Sequence, residues 1–155
     1  MHMKTLSDWF VEYSVSHQNI TNKKIHYICV PLIFFSVVGL VMSIPNDSLQ
    51  FLTSTHPIIA NWAFVVLLLV LLFYYRLSFS MGLKMTLFAV VCLLGNYWIG
   101  QNLSLAWFSF CLFAVGWIGQ FYGHKIEGKK PSFLKDLQFL LIGPAWVINS
   151  IFSGK

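Results

Sequence analysis

Long stretches of this chain carry no charged side chain, and this feature restricts its possible folds more than any other. The first stretch runs from Ile25 to Ile44 and the next from Ile58 to Tyr75. About 20 apolar residues in a helix cross the roughly 30 Å hydrocarbon core of a bilayer. Only 10% of the 155 residues are charged and 57% are hydrophobic, whereas soluble domains have about 25% charged residues. The sequence therefore predicts an integral membrane protein and excludes a soluble globule or a disordered chain.

The apolar stretches divide the chain into helical segments, from which we predict an all-α membrane bundle forming a single domain over residues 1–155. An amphipathic helix in the membrane interface is predicted at 5–18, because apolar residues recur there at helical spacing. Four spans are predicted at about 25–44, 58–75, 85–99 and 103–122. The segment 137–152 is short for a span and contains Gly143-Pro144, which predicts a broken or re-entrant helix.

Two helix starts have recognisable capping residues. Thr5 followed by Asp8 resembles a capping box at the start of the interfacial helix, although Asp replaces the usual Glu or Gln. Asn22 or Thr21 is the expected N-cap of the first span.

The basic residues predict how the chain is oriented in the membrane. Four spans place nine of the ten on one side: Lys4, Lys23, Lys24, Arg76, Lys84, Lys125, Lys129, Lys130 and Lys135. Because Lys and Arg concentrate in cytoplasmic loops, the amino terminus is predicted to be cytoplasmic. The short loops favour a bacterial inner membrane over the endoplasmic reticulum. These residues are scattered and no nucleic-acid-binding motif accompanies them, so a nucleic-acid partner is not expected.

This topology also sorts the histidines. His17, His26 and His124 are all predicted at the cytoplasmic boundary, whereas His56 is predicted on the opposite side. Neutral imidazoles from separate segments suit Zn, Fe, Cu or Ni, so these three form a candidate metal site. The spacing of His17 and His26 matches no standard zinc motif, and a single interfacial histidine commonly serves only as an amphipathic anchor. Both interpretations are therefore open at this point.

A polar stripe accompanies His124 along its predicted helix. Gln120, His124 and Glu127 lie on one helical face, which Trp117 extends by one turn. Polar side chains at membrane depth are costly unless they face the bundle interior or a wet cavity. Glu127, Asn22 or Gln120 could complete a metal site or orient one of its ligands. Gly119 and Gly123 form a small-xxx-small pair, which lets another helix approach closely.

Two motifs in the chain are similar to those of a known family, the 2-hydroxy-fatty-acid dioxygenases best known from fungal phytosphingosine breakdown. The first motif comprises Tyr13, His17, Asn22, His26 and Pro31. The second runs from Trp117 to His124 as WIGQFYGH and continues through Glu127 and Pro131 to Gly143-Pro144. The similarity covers nearly the whole chain in segment order.

The resemblance implies a small multispanning, non-haem iron enzyme that uses Fe(II) and O₂. Its substrate would be a long-chain 2-hydroxy fatty acid, cleaved between C1 and C2 to give an acid one carbon shorter. It implies His17, His26 and His124 as iron ligands, whereas Asn22, Gln120 and Glu127 match the same motifs in less defined roles. We count Glu127 with the three histidines as a candidate catalytic residue. Lys23 or Lys125 could attract the substrate carboxylate. Where the family commonly has an acidic residue, this chain reads Val147-Ile-Asn-Ser150, so Asn149 or Ser150 must substitute for that acid or its role is absent.

Two functions of other classes remain as alternatives. One is a non-catalytic membrane protein that binds a lipid or a partner, with a structural metal or none. The other is a haem-binding electron-transfer bundle, which the unequal histidine spacings at a membrane edge disfavour.

Overall fold

The structure, a computed structural model, describes residues 4–52, 56–128 and 133–153, with side chains at 4–49, 56–128 and 139–152. The described residues form six α-helices and one 3₁₀ helix and contain no strand, which confirms the all-α class. The helices are α1 (Leu6–Ser14), α2 (Ile20–Met42), α3 (Trp62–Leu77), α4 (Phe79–Gly100), α5 (Leu105–Glu127) and α6 (Phe133–Ser153), and the 3₁₀ helix is Asp47–Leu52. Lys129, Lys130, Pro131 and Lys155 and the side chain of Lys135 lie outside the described residues.

Within the described ranges, three helices, rather than the four predicted, are long and apolar enough to cross a membrane. These are α2, α4 and α5, with 23, 22 and 23 residues. The predicted second span corresponds to α3, which is apolar but has only 16 residues, or about 24 Å at 1.5 Å per residue. Ser78 explains the difference, because it ends α3 and its side chain caps the N-terminus of α4. The connection expected before residue 85 is therefore part of α4.

The last segment corrects a second expectation. No break occurs at Gly143-Pro144, since α6 continues over 21 residues with Pro144 inside it. Proline removes one backbone donor from a helix, but membrane helices tolerate it where neighbouring groups satisfy the freed carbonyl. Gly143 permits close packing here, because a Cβ at this position would lie 3.1 Å from the Tyr13 hydroxyl and 3.2 Å from Val30 Cγ1.

The capping residues partly match the sequence expectation. The Thr5–Asp8 capping box is present in both directions, so this prediction is confirmed. At α2 the prediction was wrong, because Asn19 caps the helix and its Oδ1 accepts hydrogen bonds from the N–H groups of Thr21 and Asn22. The first helix also ends at Ser14 rather than at residue 18, which leaves His17 in the connection to α2.

Two compact units can be distinguished, and α2 and α5 contribute residues to both. The first unit comprises residues 1–34 and 114–155. Within it α1 packs against α6, and the start of α2 lies close to the end of α5. Glycines on α5 permit that approach: a Cβ on Gly116 would lie 2.6 Å from Ile33 Cγ1, and one on Gly119 would overlap Cys29 Sγ. Close α2–α5 packing in this unit therefore depends on small residues.

The second unit comprises residues 35–113, and within it α3 packs against α4. Asn61 caps α3 by accepting from the Phe64 N–H group. Asn96 is fully buried on α4, and its amide donates to the carbonyls of Phe35 at 3.0 Å and Cys92 at 2.9 Å. These bonds provide the buried amide with acceptors where water is excluded.

Candidate metal centre

His17 lies in the connection between α1 and α2, and two contacts with Tyr13 fix its ring. Its Nδ1 donates to the Tyr13 carbonyl over 2.7 Å. The two rings stack with centroids 4.1 Å apart and planes inclined by 10°. Since a carbonyl can only accept, Nδ1 carries the proton and the lone pair of the neutral ring lies on Nε2. His17 is therefore oriented to offer Nε2 as a metal ligand.

His26 is oriented in the same manner on α2, one helical turn after Asn22. Its Nδ1 donates to the Asn22 carbonyl over 2.9 Å, which again leaves the lone pair on Nε2. His26 Nε2 is buried and has no hydrogen-bond partner within the described part of the chain. A buried polar atom without a partner is costly, so this nitrogen is well suited to bind an ion.

His124 completes the set from the last turn of α5, and we call these three residues the histidine triad. The centroid of the His26 ring lies 4.3 Å from that of His17 and 5.1 Å from that of His124. One ligand nitrogen from each residue lies within 4.8 Å of the other two. Nitrogens bound to one ion at about 2.1 Å are about 3 to 3.5 Å apart. Small side-chain rotations would therefore bring all three to a single ion, and the residues fit a bound metal.

The triad is buried, yet it borders a cavity. The exposed fractions of His17, His26 and His124 are 2%, 1% and 5%. The cavity has a volume of about 40 Å³, which exceeds the 10–15 Å³ or so that one water molecule requires. Besides the triad, Tyr13, Trp117, Gln120, Val30, Ile33, Phe139 and Leu140 line it. The site thus combines three nitrogen donors with an apolar wall and leaves room for small molecules beside an ion.

Glu127 ends α5 and binds protein donors with both carboxylate oxygens. Its Oε1 accepts from the Gln18 N–H group at 2.8 Å, and its Oε2 accepts from the Asn19 N–H group at 2.9 Å. Oε2 also accepts from the Asn22 side-chain amide at 2.9 Å. Among the described residues, the cluster of side chains close enough to share one metal ion comprises the three histidines and does not include Glu127. The structure therefore brings Glu127 and Asn22 beside the histidines but engages both in hydrogen bonds with protein.

Gln120 lies one turn before His124 on α5 and lines the cavity. It is 7% exposed, and Trp117 continues the lining by another turn. Gln120 and His124 of the polar stripe therefore face the interior of the first unit, where burying a polar side chain costs less free energy than exposing it to lipid.

Other candidate residues do not reach this cavity. Lys125 is exposed and Lys23 is partly exposed, and neither lines the cavity. Ser150 donates to the Trp146 carbonyl in its own helix, and Asn149 lines a separate groove beside α1. His56 belongs to the second unit, where its ring packs against Tyr97. Within the described region, therefore, neither Asn149 nor Ser150 lines this cavity in place of the acidic residue that the similar family commonly has.

Trp146 is a site residue that sequence reasoning missed. Its ring centroid lies 5.2 Å from that of Tyr13 and 5.9 Å from that of His17. Trp146 follows Pro144 on α6, and nothing local distinguishes it from the many aromatic residues of an apolar helix. Only the packing of α6 against α1 reveals its position.

The fold and the triad define a class of protein: a helical membrane protein with three buried histidines that can hold a metal ion. The sequence model of the family described as 2-hydroxy-palmitic acid dioxygenase Mpo1-like matches residues 3–154. The chain belongs to this Mpo1-like family, which confirms the resemblance carried by the two motifs. Comparison with curated proteins and with solved structures found no match.

Proposed function

We propose that this protein is an Fe(II)-dependent dioxygenase that shortens long-chain 2-hydroxy fatty acids by one carbon. The histidine triad is the observation that carries the proposal, since its three nitrogens lie within 4.8 Å of one another beside a cavity. Membership of the Mpo1-like family supports the reaction and substrate class. Three protein ligands leave coordination positions open, as in non-haem iron oxygenases.

The triad would hold the iron through Nε2 of His17 and His26 and a ring nitrogen of His124. Carbonyl acceptors fix the first two rings, the Tyr13 carbonyl for His17 and the Asn22 carbonyl for His26. Such contacts to a ligating histidine hold its tautomer and raise its basicity. When bound, Fe(II) supplies the redox chemistry that lets O₂ react with an organic acid.

The cavity lining matches the two parts of a 2-hydroxy fatty acid. The Gln120 amide lies on the polar side and can hydrogen-bond the hydroxyl or carboxylate of the head. Val30, Ile33 and Phe139 provide apolar surface for the first methylene groups of the tail. The remaining tail would lie among apolar helices or lipid, because about 40 Å³ cannot enclose a long acyl chain.

Water exclusion and charge also favour this substrate. The buried triad limits access of bulk water, which strengthens polar interactions with the acid head. Lys23 and Lys125 lie on the segments that carry His26 and His124. Their charges would raise the local concentration of an anionic lipid acid rather than contact it in the cavity.

The proposed membrane setting places the triad at the cytoplasmic boundary. The three long apolar helices support membrane insertion. With the shorter apolar helix α3 as a fourth crossing, the distribution of Lys and Arg supports a cytoplasmic amino terminus. A substrate that dissolves in the bilayer would then reach the cavity from the membrane, with its carboxylate at the interface. We propose a bacterial inner membrane as the location, on the basis of the short loops.

The proposal is tested on detergent-purified protein by metal analysis and O₂ uptake with a long-chain 2-hydroxy acid. One O₂ converts the substrate into the shortened acid, carbon dioxide and water, a stoichiometry that conserves all atoms. His17→Ala, His26→Ala and His124→Ala should each lose bound iron and turnover, and His56→Ala should lose neither. The non-hydroxylated acid should give no uptake.

The same experiment distinguishes this function from the alternative of a non-catalytic protein that binds a metal or a lipid. That alternative predicts retained zinc, or no metal, and no substrate-dependent O₂ uptake. If all four histidine variants behave alike, the proposed site is wrong.

A further inference from the structure

Glu127 connects three separate parts of the first unit through one carboxylate. Its oxygens accept from the backbone N–H groups of Gln18 and Asn19 and from the side chain of Asn22 at 2.8 to 2.9 Å. The partners are 105 to 109 residues away in sequence. Such bonds hold together segments that no local structure would join.

Each segment joined in this way carries one member of the histidine triad. The connection before α2 carries His17, the first turns of α2 carry His26, and the last turn of α5 carries His124. Gln18 directly follows His17, so its bond to Glu127 fixes the backbone next to that ligand. His17 also lacks a helix of its own to hold it, since α1 ends at Ser14 and α2 begins at Ile20.

The electrostatics of the contact favour an ionised carboxylate. Gln18 and Asn19 lie immediately before α2, and their N–H groups point to Glu127. A negative charge at a helix N-terminus is stabilised by the helix dipole and by the donors exposed there. Among the described residues Lys4 forms an ion pair with Glu12, a contact that does not involve Glu127. Neutral donors thus provide the described contacts of this carboxylate.

We propose that Glu127 is a positioning residue that holds the His17 segment against the other two histidines and thereby sets metal affinity. This inference rests on the proposed metal site. A direct ligand would need an oxygen directed at the ion, whereas both Glu127 oxygens are directed at protein donors. The carboxylate then acts on the metal through His17 and not by coordination.

The test is a metal titration of metal-free protein in detergent, with Co²⁺ as the probe. Glu127→Gln keeps the size of the side chain but replaces one acceptor oxygen with a donor amide. We expect it to weaken Co²⁺ binding about 10- to 100-fold, as for other groups that orient a ligand. Glu12→Gln, which changes an exposed carboxylate on α1, is the control and should bind Co²⁺ like the wild type.

A double-mutant cycle separates positioning from coordination. In a His17→Ala background the added Glu127→Gln change should alter Co²⁺ affinity by less than about twofold, because the segment it positions no longer supplies a ligand. An equal loss in both backgrounds would show that Glu127 acts on the metal independently of His17, and would overturn the proposal.

Hydrogen exchange gives a readout that requires no metal. The Gln18 and Asn19 amides should exchange at least tenfold faster in metal-free Glu127→Gln than in the metal-free wild type, while the α3–α4 amides are unchanged. Unchanged exchange at Gln18 and Asn19 would overturn the inference. If the wild-type protein binds no metal, the proposed function fails, but hydrogen exchange still reports on the hydrogen bonds that Glu127 makes with Gln18 and Asn19. Should Glu127→Gln not fold, Asn22→Ala removes one of the three bonds and is expected to accelerate the same amides.

Discussion

The ring of Tyr13 lies flat against the ring of His17, with centroids 4.1 Å apart, while the Tyr13 carbonyl accepts from His17 Nδ1. One residue at the end of α1 therefore fixes both the plane and the tautomer of a histidine that belongs to no helix. Phe139 packs edge-on against the same tyrosine ring at 5.2 Å. The orientation of His17 thus depends on the packing of α1 against α6.

Replacement of Tyr13 tests the importance of this stack. Tyr13→Ala should weaken metal binding about 10- to 100-fold, because the His17 ring is no longer held. It should also destabilise the fold by about 3–5 kcal/mol, as does removal of other buried aromatic rings. Tyr13→Phe keeps the ring and should retain metal affinity within about tenfold. Metal titration and thermal unfolding in detergent measure both effects, and equal losses in the two variants would contradict a role for stacking.

The sequence predicts the fold class and the membership of the triad but not the way the site is held. Apolar runs and sparse charges define membrane helices because the bilayer imposes one dominant constraint. The histidines could be grouped because the distribution of basic residues indicated a common side. Trp146 could not be found in this way, since its role depends on contacts between segments far apart in the sequence. The Asn19 cap could not be found either, because it required a choice among adjacent polar residues.

Helix boundaries show the same limit. The separation of α3 from α4 depends on Ser78, a single residue that ends one helix and caps the next. Hydropathy alone favours a longer connection there, because Arg76 and Lys84 interrupt the apolar pattern. Similarly, the low helix propensity of Gly143 and Pro144 predicts a break in the helix. In the structure α6 is continuous, and Gly143 packs closely against Tyr13 and Val30.

Gly123 should tolerate no side chain, because a Cβ there would overlap Asn22 Oδ1 and lie 3.3 Å from His26 Cε1. Gly123→Ala is expected to destabilise the protein by about 1–3 kcal/mol through overpacking and to weaken metal binding by moving Asn22. Gly100→Ala is a suitable control, since its Cβ would meet Leu105 at an ordinary distance of 3.6 Å. Thermal unfolding should show a loss for Gly123→Ala and a change within about 1 kcal/mol for Gly100→Ala. Identical melting temperatures would contradict the packing argument.

Metal removal should destabilise the folded protein. A buried site of three nitrogens binds the ion only in the folded state, so saturating metal at 1,000 times its dissociation constant adds about 4.1 kcal/mol. Treatment with a chelator should lower the melting temperature in detergent, and added Fe(II) under anaerobic conditions should restore it. His26→Ala lacks the ligand atom that has no partner among the described protein groups. Its melting temperature should therefore not respond to chelator, and a response equal to that of the wild type would place the metal elsewhere.

Gln120 should affect the substrate rather than the metal. Its side chain lines the cavity one turn from His124, and hydrogen bonds to charged groups contribute about 1.5–3 kcal/mol. Gln120→Leu is therefore expected to raise the KM for a 2-hydroxy acid at least tenfold while iron content stays at the wild-type level. Gln120→Glu should raise KM further, because a second carboxylate repels the acid head. Gln101→Leu changes an exposed amide in the second unit and should leave KM unchanged. Loss of iron from Gln120→Leu would show instead that this amide supports the metal ligands.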